Sequence, residues 1–442
     1  MQNTADWLHS HGIRQVECLF SDMTGTARGK TVPAATLLAS QDLRFSQVGL
    51  LQSVNGHCLQ QLVPELDPDM RLQADNTTLR ALPWRHEPTA MLIHDCLHED
   101  GSLLEFAPRN VLRRIVARYA ALGLKPVVAP EMEFYLFARR NTLDETPQAP
   151  ASYGKAGDSL RQPYALDRLH DLDEVLADIR HGCASLGIGA DTLLQEVGCG
   201  QLEINLQHGD ALALADQAFL FKRMVREAAA RHDLEACFMA KPLADDAGSA
   251  MHIHQSLVYA DSGHNAFSQD NGQPAPRFAH YIAGLQHYLP DALLLLAPYV
   301  NSYRRLAPFT AAPINVEWGY DNRTCGLRIP QGGPQARRVE NRLPGVDANP
   351  YLAMATTLAC GLLGMQQELP ATPPLACSAY GRPYAFARTQ LEAVERLAAN
   401  QALAKLLGPQ FVSTYCQLKL SEWQEFNRQV TPWEYRHLLG QA

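Results

Sequence analysis

Val127-Val128-Ala129-Pro130-Glu131-Met132-Glu133-Phe134-Tyr135 sets two carboxylates two residues apart in an otherwise apolar run. On a strand, residues at this spacing share a face. Side-by-side carboxylates repel unless a cation neutralises them, and hard divalent ions prefer oxygen ligands. The solvent face of a strand also carries alternating carboxylates. The apolar flanks argue instead for an interior strand, running from Lys125 to Phe137.

Other pieces repeat this chemistry. Glu196 and Glu203 bracket Gly198 and Gly200, which allow a tight turn that returns both carboxylates to one place. Met251-His252-Ile253-His254-Gln255-Ser256 puts His252, His254 and Ser256 on one strand face, where metal or phosphate contact competes with a purely structural role. Arg337-Arg338-Val339-Glu340-Asn341-Arg342 likewise aligns Arg338, Glu340 and Arg342. Cross-strand ion pairs are one explanation, and guanidinium recognition of phosphate beside a metal-binding carboxylate is the other. Arg304, Arg305, Arg323 and Arg328 add more arginine nearby. No Walker loop, G-x-G-x-x-G or G-x-S-x-G is present, so any ATP chemistry would rest on metal ions and arginines.

Around these motifs the pattern reads as α+β. Gln15–Phe20 is a strand leading into a turn over Ser21–Thr26, and Gly101-Ser102 is a break. Pro108–Leu122 has apolar residues at helical spacing and opens a second domain. Further strands are predicted at Gln201–Leu206, Ala250–Val258, Leu327–Pro330 and Arg337–Arg342. Helices are predicted at Leu172–Ser185, Ala213–His232, Arg277–Leu289 and Pro350–Gly364, with a long surface loop over Arg139–Pro163. The boundaries expected are 1–103 for a small N-terminal domain and 104–442 for a catalytic one.

Bulk properties narrow the function. Of 442 residues 46% are hydrophobic and 19% charged, as in an ordinary globular protein, and the net charge of -8 offers no basic footprint for nucleic acid. The ten cysteines form no C-x-x-C pair, the first residues lack the apolar core of a signal peptide, and the run Ala292–Ala297 is too short to span a bilayer. A cytoplasmic protein with reduced thiols is expected, binding neither nucleic acid nor membrane.

Taken in order, the motifs resemble the glutamine synthetase family over nearly the whole chain. They run from Phe20-Ser21-Asp22 and Gly25–Lys30 through Ala107-Pro108-Arg109, Pro130–Phe134, Glu196–Glu203, Lys241-Pro242, Met251–His254 and Asn301-Ser302-Tyr303. They end with Asn322-Arg323, Arg328-Ile329-Pro330, Ala336–Glu340 and Asn349-Pro350-Tyr351. The resemblance implies an N-terminal β-grasp domain followed by a curved antiparallel sheet backed by helices. It also implies a homo-oligomer, usually a dodecamer of two hexameric rings with sites shared between neighbours. In the implied reaction L-glutamate attacks the γ-phosphate of ATP, and an amine or ammonium then attacks γ-glutamyl phosphate. Two or more Mg²⁺ or Mn²⁺ ions per site are implied. By resemblance Glu133, Glu196 and Glu203 hold one and Glu131, His252 and Glu340 another. Arg305 and Arg342 match arginines on the glutamate and phosphate, and Gly248 a glycine on the glutamate backbone. Arg323 and Arg338 match arginines on the nucleotide phosphates, with His254 and Ser256 beside them, and Arg305, Arg323 and Arg342 carry the catalytic roles.

The sequence departs from the family pattern where ammonium would sit. Ala311, in Leu306–Pro313, falls where a flap Glu is expected, and no acidic residue occurs from Leu43 to Pro64. An ammonium ion needs negative charge or strong acceptors. Leu50, Leu51, Val54, Phe309, Ala311 and Ala312 are expected to line the amine pocket instead. With Ala247 and Ala250 flanking Gly248-Ser249, and the ending Trp433-Glu434-Tyr435, the pattern is most similar to the γ-glutamylpolyamine synthetase branch. The expected function is ligation of glutamate to a primary organic amine, polyamine or monoamine. The alternatives are an ordinary glutamine synthetase and a non-catalytic member. No adenylylation motif is recognisable near Tyr380.

Overall fold

The structure, a computed structural model, describes residues 2–39, 42–62, 65–142, 144–150 and 161–441. The chain begins with α1 (Gln2–Ser10), β1 (Gln15–Ser21), β2 (Ala27–Pro33), α2 (Ala34–Ala39), β3 (Leu43–Ser46), β4 (Asp69–Ala74), β5 (Arg80–Ala81) and β6 (Thr89–Leu97). These strands make a small sheet in the order β2-β1-β6-β4-β3, with β5 against β6. β1 and β6 run parallel and the other pairs antiparallel.

A second sheet follows, with its helices. Its first half holds α3 (Pro108–Ala120), β7 (Leu124–Ala138), α4 (Leu166–Asp171), α5 (Asp173–Leu186), β8 (Ala190–Gln195), β9 (Gln201–Leu206), β10 (Gly209–Asp210), α6 (Ala211–Arg231) and β11 (Leu234–Cys237). Next come β12 (Met251–Tyr259), α7 (Pro276–Ala292), α8 (Ser302–Arg305), β13 (Trp318–Tyr320), β14 (Leu327–Ile329), β15 (Val339–Asn341) and α9 (Pro350–Gln366). Four helices close the chain: α10 (Gln390–Ala399), α11 (Gln401–Leu407), α12 (Pro409–Phe426) and α13 (Pro432–Leu438). The strand order is β13-β14-β15-β12-β7-β9-β8, with β10 and β11 also paired to β7.

The α+β class is as expected, but the large sheet is mixed rather than purely antiparallel. β13 runs parallel to β14, pairing Trp318 with Leu327. The loop between them makes this possible: Asp321 takes a left-handed φ of 49° and its N–H donates to Ile329 O at 2.9 Å. The strand expected over Arg337–Arg342 is confined to Val339–Asn341, because a 3₁₀ turn over Pro334–Ala336 holds the chain just before it. In the stretch 139–163, residues 143 and 151–160 lie outside the described residues, and the rest carries no helix or strand. Among the described residues no helix is long and apolar enough to cross a membrane.

The helices follow from local sequence. α3 starts on Pro108 and buries Val111, Leu112, Ile115 and Tyr119. α6 is capped by the Asp210 carboxylate, which accepts from Leu212 N and Ala213 N. α9, capped by Asn349, is buried on every side from Pro350 to Gly364, as its predominantly apolar sequence favours. It approaches α7 backbone to backbone: a Cβ on Gly364 would stand 2.4 Å from the Cα of Gly284. A side chain at either position would force the pair apart.

A buried charge cluster joins the two sheets' supporting elements. Arg109, at the start of α3, donates to Asp216 on α6 at 2.9 and 2.8 Å, to Asp95 on β6 at 2.5 Å and to Asp75 at 2.7 Å. Tyr351 Oη adds a hydrogen bond to Asp216 at 2.7 Å. Removing one partner from such a cluster strands the others in low dielectric. Arg109→Ala is therefore expected to destabilise the protein by about 3–5 kcal/mol, read as a lowered unfolding midpoint. An unchanged midpoint would contradict the role assigned to this cluster.

Candidate active site

Strand register assembles the site. Across β7 and β9 Glu133 faces Glu203, and across β7 and β12 Glu131 faces His252. Across β12 and β15 His254 faces Glu340, and across β15 and β14 Glu340 faces Arg328. The period-two alternation noted in each segment thus becomes one continuous polar row on the sheet.

The contacts along this row are short. Glu131 takes both imidazoles, His252 Nδ1 at 3.0 Å and His254 Nε2 at 2.8 Å. Arg328 and Arg342 donate to the two oxygens of Glu340 at 2.8 and 2.6 Å. Arg338 Nε lies 3.1 Å from His254 Nδ1. Ala250 N donates to Glu133 Oε2 at 2.7 Å. Arg305 is 5% exposed and bonds the carbonyls of Arg342 and Leu343. Gly248 lies against it, and a Cβ there would stand 2.8 Å from both Arg305 Cγ and Ala240 O. Ser256 is tied down, donating to Arg337 O at 2.8 Å and accepting from Asn265 at 3.1 Å. Glu131, His254, Ser256 and Arg338 line a cavity of about 830 Å³.

Electrostatics shows which groups want a cation. Burial and then Glu196 push Glu133 up to about 8. Burial, with Glu131, Glu133 and Glu196 close by, pushes Glu203 up to about 9. Glu196 is raised by burial and by Glu131. Burial alone would raise Glu131, but the His252 and His254 hydrogen bonds outweigh it and hold it far below the usual range. Burial and Arg342 lower His252, which suits a neutral ligand. Ligand atoms of Glu131, Glu203 and His252 lie within 4.8 Å of one another, as do those of Glu131, His254 and Glu340. An excess of buried carboxylate beside neutral imidazole fits divalent cations. Compared with the ligand sets implied by resemblance, the geometry makes Glu131 common to both groups and sets His254 beside Glu340. Glu133 borders the first group, its Oε1 3.8 Å from His252 Nδ1.

This site makes a pH prediction. A carboxylate whose pKa is raised by folding keeps its proton where the unfolded chain has lost it, so the native state binds more protons and stability falls as pH rises. For Glu133 and Glu203 the window runs from the unfolded value near 4.3 up to about 8 and about 9. Glu131 and Glu340 are held low and act only in acid. The metal-free protein is expected to melt at progressively lower temperature between about pH 5 and pH 8. Mn²⁺ must displace those protons, so it should raise the melting temperature more at pH 8 than at pH 6. A metal-induced rise that is the same at both pH values would contradict the assignment.

Several site features were not legible in the sequence. Tyr164 adopts a left-handed φ of 65° and donates its N–H to Gln195 O, and Glu196 and then burial push its phenol up. No periodicity marks it, since it sits in an irregular loop. Arg328 stands out in the sequence only as part of an arginine-rich stretch, and the strand pairing is what sets it against Glu340. Arg323 is exposed on a loop shaped by Asn322, whose side chain bonds Leu375 O, Cys377 O and Thr324.

The amine-pocket expectation needs a correction. Leu50 and Leu51 are fully buried in the main core, because the 3₁₀ turn Gln47–Leu50 folds inward and Leu50 O accepts from Met23 N. They cannot line an open pocket. Val54 and Phe309 are exposed at 60% and 78%, and Phe309 is left-handed at φ 59°. The loop without acid is met by acid from α12: Val54 N donates to Glu422 at 3.1 Å, and the Asn55 side-chain amide donates to Glu425.

Comparison with known proteins extends this picture. Residues 105–438 match the family described as glutamine synthetase, catalytic domain. The chain is 35% identical to the gamma-glutamylputrescine synthetase PuuA of Escherichia coli K12, over 97% of this chain and 92% of the relative. It is 32% identical to the glutamate–isopropylamine ligase of a Pseudomonas species, over 98% and 96%. Its fold superposes on the ligand-free structure of GmaS with a TM-score of 0.87 at 30% identity, covering 99% of this chain and all of that one. A GmaS structure with ADP gives a TM-score of 0.86.

Proposed function

The chain belongs to the glutamine synthetase family and is an ATP-dependent glutamate ligase, and we propose that its nitrogen donor is a primary organic amine rather than ammonium. The observation that carries this reading is the missing flap carboxylate. Ala311 stands exposed where the family's acid is expected, and the flap presents Phe309 instead. A cation as small and strongly hydrated as ammonium has little to replace its water there. An amine with an apolar tail gains roughly 25 cal/mol per Å² of surface buried.

The assignment of residues rests on the family resemblance, and the short contacts along the row support it. Glu131, Glu203, His252, His254 and Glu340, with Glu133 and Glu196 from the resemblance, would hold divalent cations. Such cations neutralise charge on the phosphates of ATP when bound. Arg338 and Arg323 are assigned to the nucleotide phosphates, with His254 and Ser256 beside them. Arg305, Arg342 and the glycine at 248 are assigned to glutamate. Arg328 and Arg342 fix Glu340, so the row stays ordered as charge develops on the transferred phosphoryl group. Glutamate's γ-carboxylate attacks the γ-phosphorus of ATP and ADP leaves. The amine, having lost a proton, then displaces phosphate from the γ-glutamyl carbon and forms the amide.

Both diamines and monoamines fit. The relatives include a γ-glutamylputrescine synthetase and an isopropylamine ligase. If the Val54 loop reaches a neighbouring subunit's site in a ring, Glu425 offers a partner for a diamine's distal ammonium. Product analysis after incubation with ATP, glutamate and each amine tests the reading, since a γ-glutamylamide must accumulate with phosphate.

A further inference from the structure

A second cavity, of about 980 Å³, lies apart from the carboxylate row. Phe137, Phe219, Phe238 and Phe426 supply apolar walls, and Lys222, Arg226, Arg304, Asp347 and Gln390 supply polar ones. Its charges do not cancel. Arg140 pairs with Glu235, Arg223 with Glu17 and Glu422 with Lys419. Lys222 is balanced by Asp347, next along the chain from the Ala348 carbonyl to which Lys222 Nζ donates at 2.8 Å. Among the described residues Arg226 and Arg304 have no acidic partner, and Arg226 lies over the Phe238 ring at 4.9 Å.

The polar atoms are also unsatisfied in both senses. Lys222 is 8% exposed yet uses one of its three donors. Asp347 Oδ1 and Gln390 Oε1 are buried and take no hydrogen bond from any described residue. Both residues line the cavity, and buried acceptors without donors are uncommon. A ligand that satisfies this cavity must bring negative charge for two guanidinium groups, N–H donors for two buried acceptors, and an apolar part for the phenylalanines.

We propose that this cavity binds an α-amino acid with an apolar side chain, its carboxylate against Arg226 and Arg304 and its ammonium against Asp347 and Gln390. The site is coupled to catalysis through α8. Arg304 faces the cavity while its neighbour Arg305 is buried at the carboxylate row, and Asp347 Oδ2 accepts from Ser302 Oγ of the same helix at 2.6 Å. Occupancy of the cavity therefore bears on how Arg305 is held, and so on glutamate affinity.

Calorimetric titration of the full-length protein with L-leucine tests this, using wild type, Arg304→Gln, Arg226→Gln and Arg342→Gln. Arg304 is exposed, so its replacement leaves the fold intact, as a thermal melt would verify. Saturable binding to wild type is expected, weakened at least about tenfold by either cavity substitution and retained in Arg342→Gln. 4-Methylpentanoate, which lacks the ammonium, should bind more weakly than leucine. Turnover of Arg304→Gln without leucine should stay within about twofold of wild type. Absence of saturable binding, binding that survives the cavity substitutions, or binding lost in Arg342→Gln would each overturn the proposal. The last result would mean that leucine occupies the catalytic site.

Discussion

Replacing Glu131 by Gln is expected to lower ATP-dependent phosphate release by roughly a thousandfold, about 4 kcal/mol of transition-state stabilisation. Glu131 is the residue on which the row converges: it takes both imidazoles, and it belongs to both groups of converging ligand atoms. An amide of the same shape keeps the strand pairing but loses the charge that draws cations. It also relieves Glu203 and Glu196, both of which are raised by Glu131. Ionised Glu131 is itself stabilised by folding, so the metal-free variant loses that contribution at neutral pH and regains part of it through Glu203 and Glu196, while the rise in melting temperature on adding Mn²⁺ shrinks. Glu340→Ala should be as inactive, but it strands Arg328 and Arg342 around a site only 1% exposed and so confounds activity with folding. Near-normal turnover of the Glu131→Gln protein would contradict the assignment of this row.

Ala311→Glu is expected to move nitrogen-donor preference toward ammonium by at least about tenfold in the ratio of kcat/KM values, about 1.4 kcal/mol. Ala311 is exposed in a segment with no helix or strand, so the substitution places a carboxylate without disturbing the core. The new side chain supplies charge for ammonium and a base for its proton, and it takes space from an organic tail. A ratio that does not move would mean that the flap does not read the nitrogen donor in this protein.

The row itself was legible because a strand writes its geometry at period two. Glu131 and Glu133, His252 and His254, and Glu340 and Arg342 could each be assigned a common face before their partners were known. What the alternation could not supply was pairing. That Glu133 faces Glu203, and that Glu131 rather than Glu340 takes both imidazoles, depends on register set by the whole sheet. Tyr164 escaped because an irregular loop has no period, and its left-handed backbone leaves no mark in the residues around it. β8 escaped because its only buried residue is the polar Gln195, which leaves no apolar alternation, and α10 to α13 lie outside the motifs that mark the site. Leu50 and Leu51 were misplaced because an apolar pair looks alike whether it lines a pocket or fills a core. The acid beside Val54 comes from Glu422, far along the chain, where only tertiary structure connects them.

The central claim is that this ligase reads an organic amine in place of ammonium. Its most direct test is the initial rate of phosphate release with saturating ATP, Mg²⁺ and L-glutamate, compared across ammonium, putrescine, isopropylamine and longer alkylamines. The account predicts kcat/KM for the best organic amine at least about tenfold above that for ammonium, a difference of about 1.4 kcal/mol or more. Ammonium used as efficiently as the best amine would contradict it.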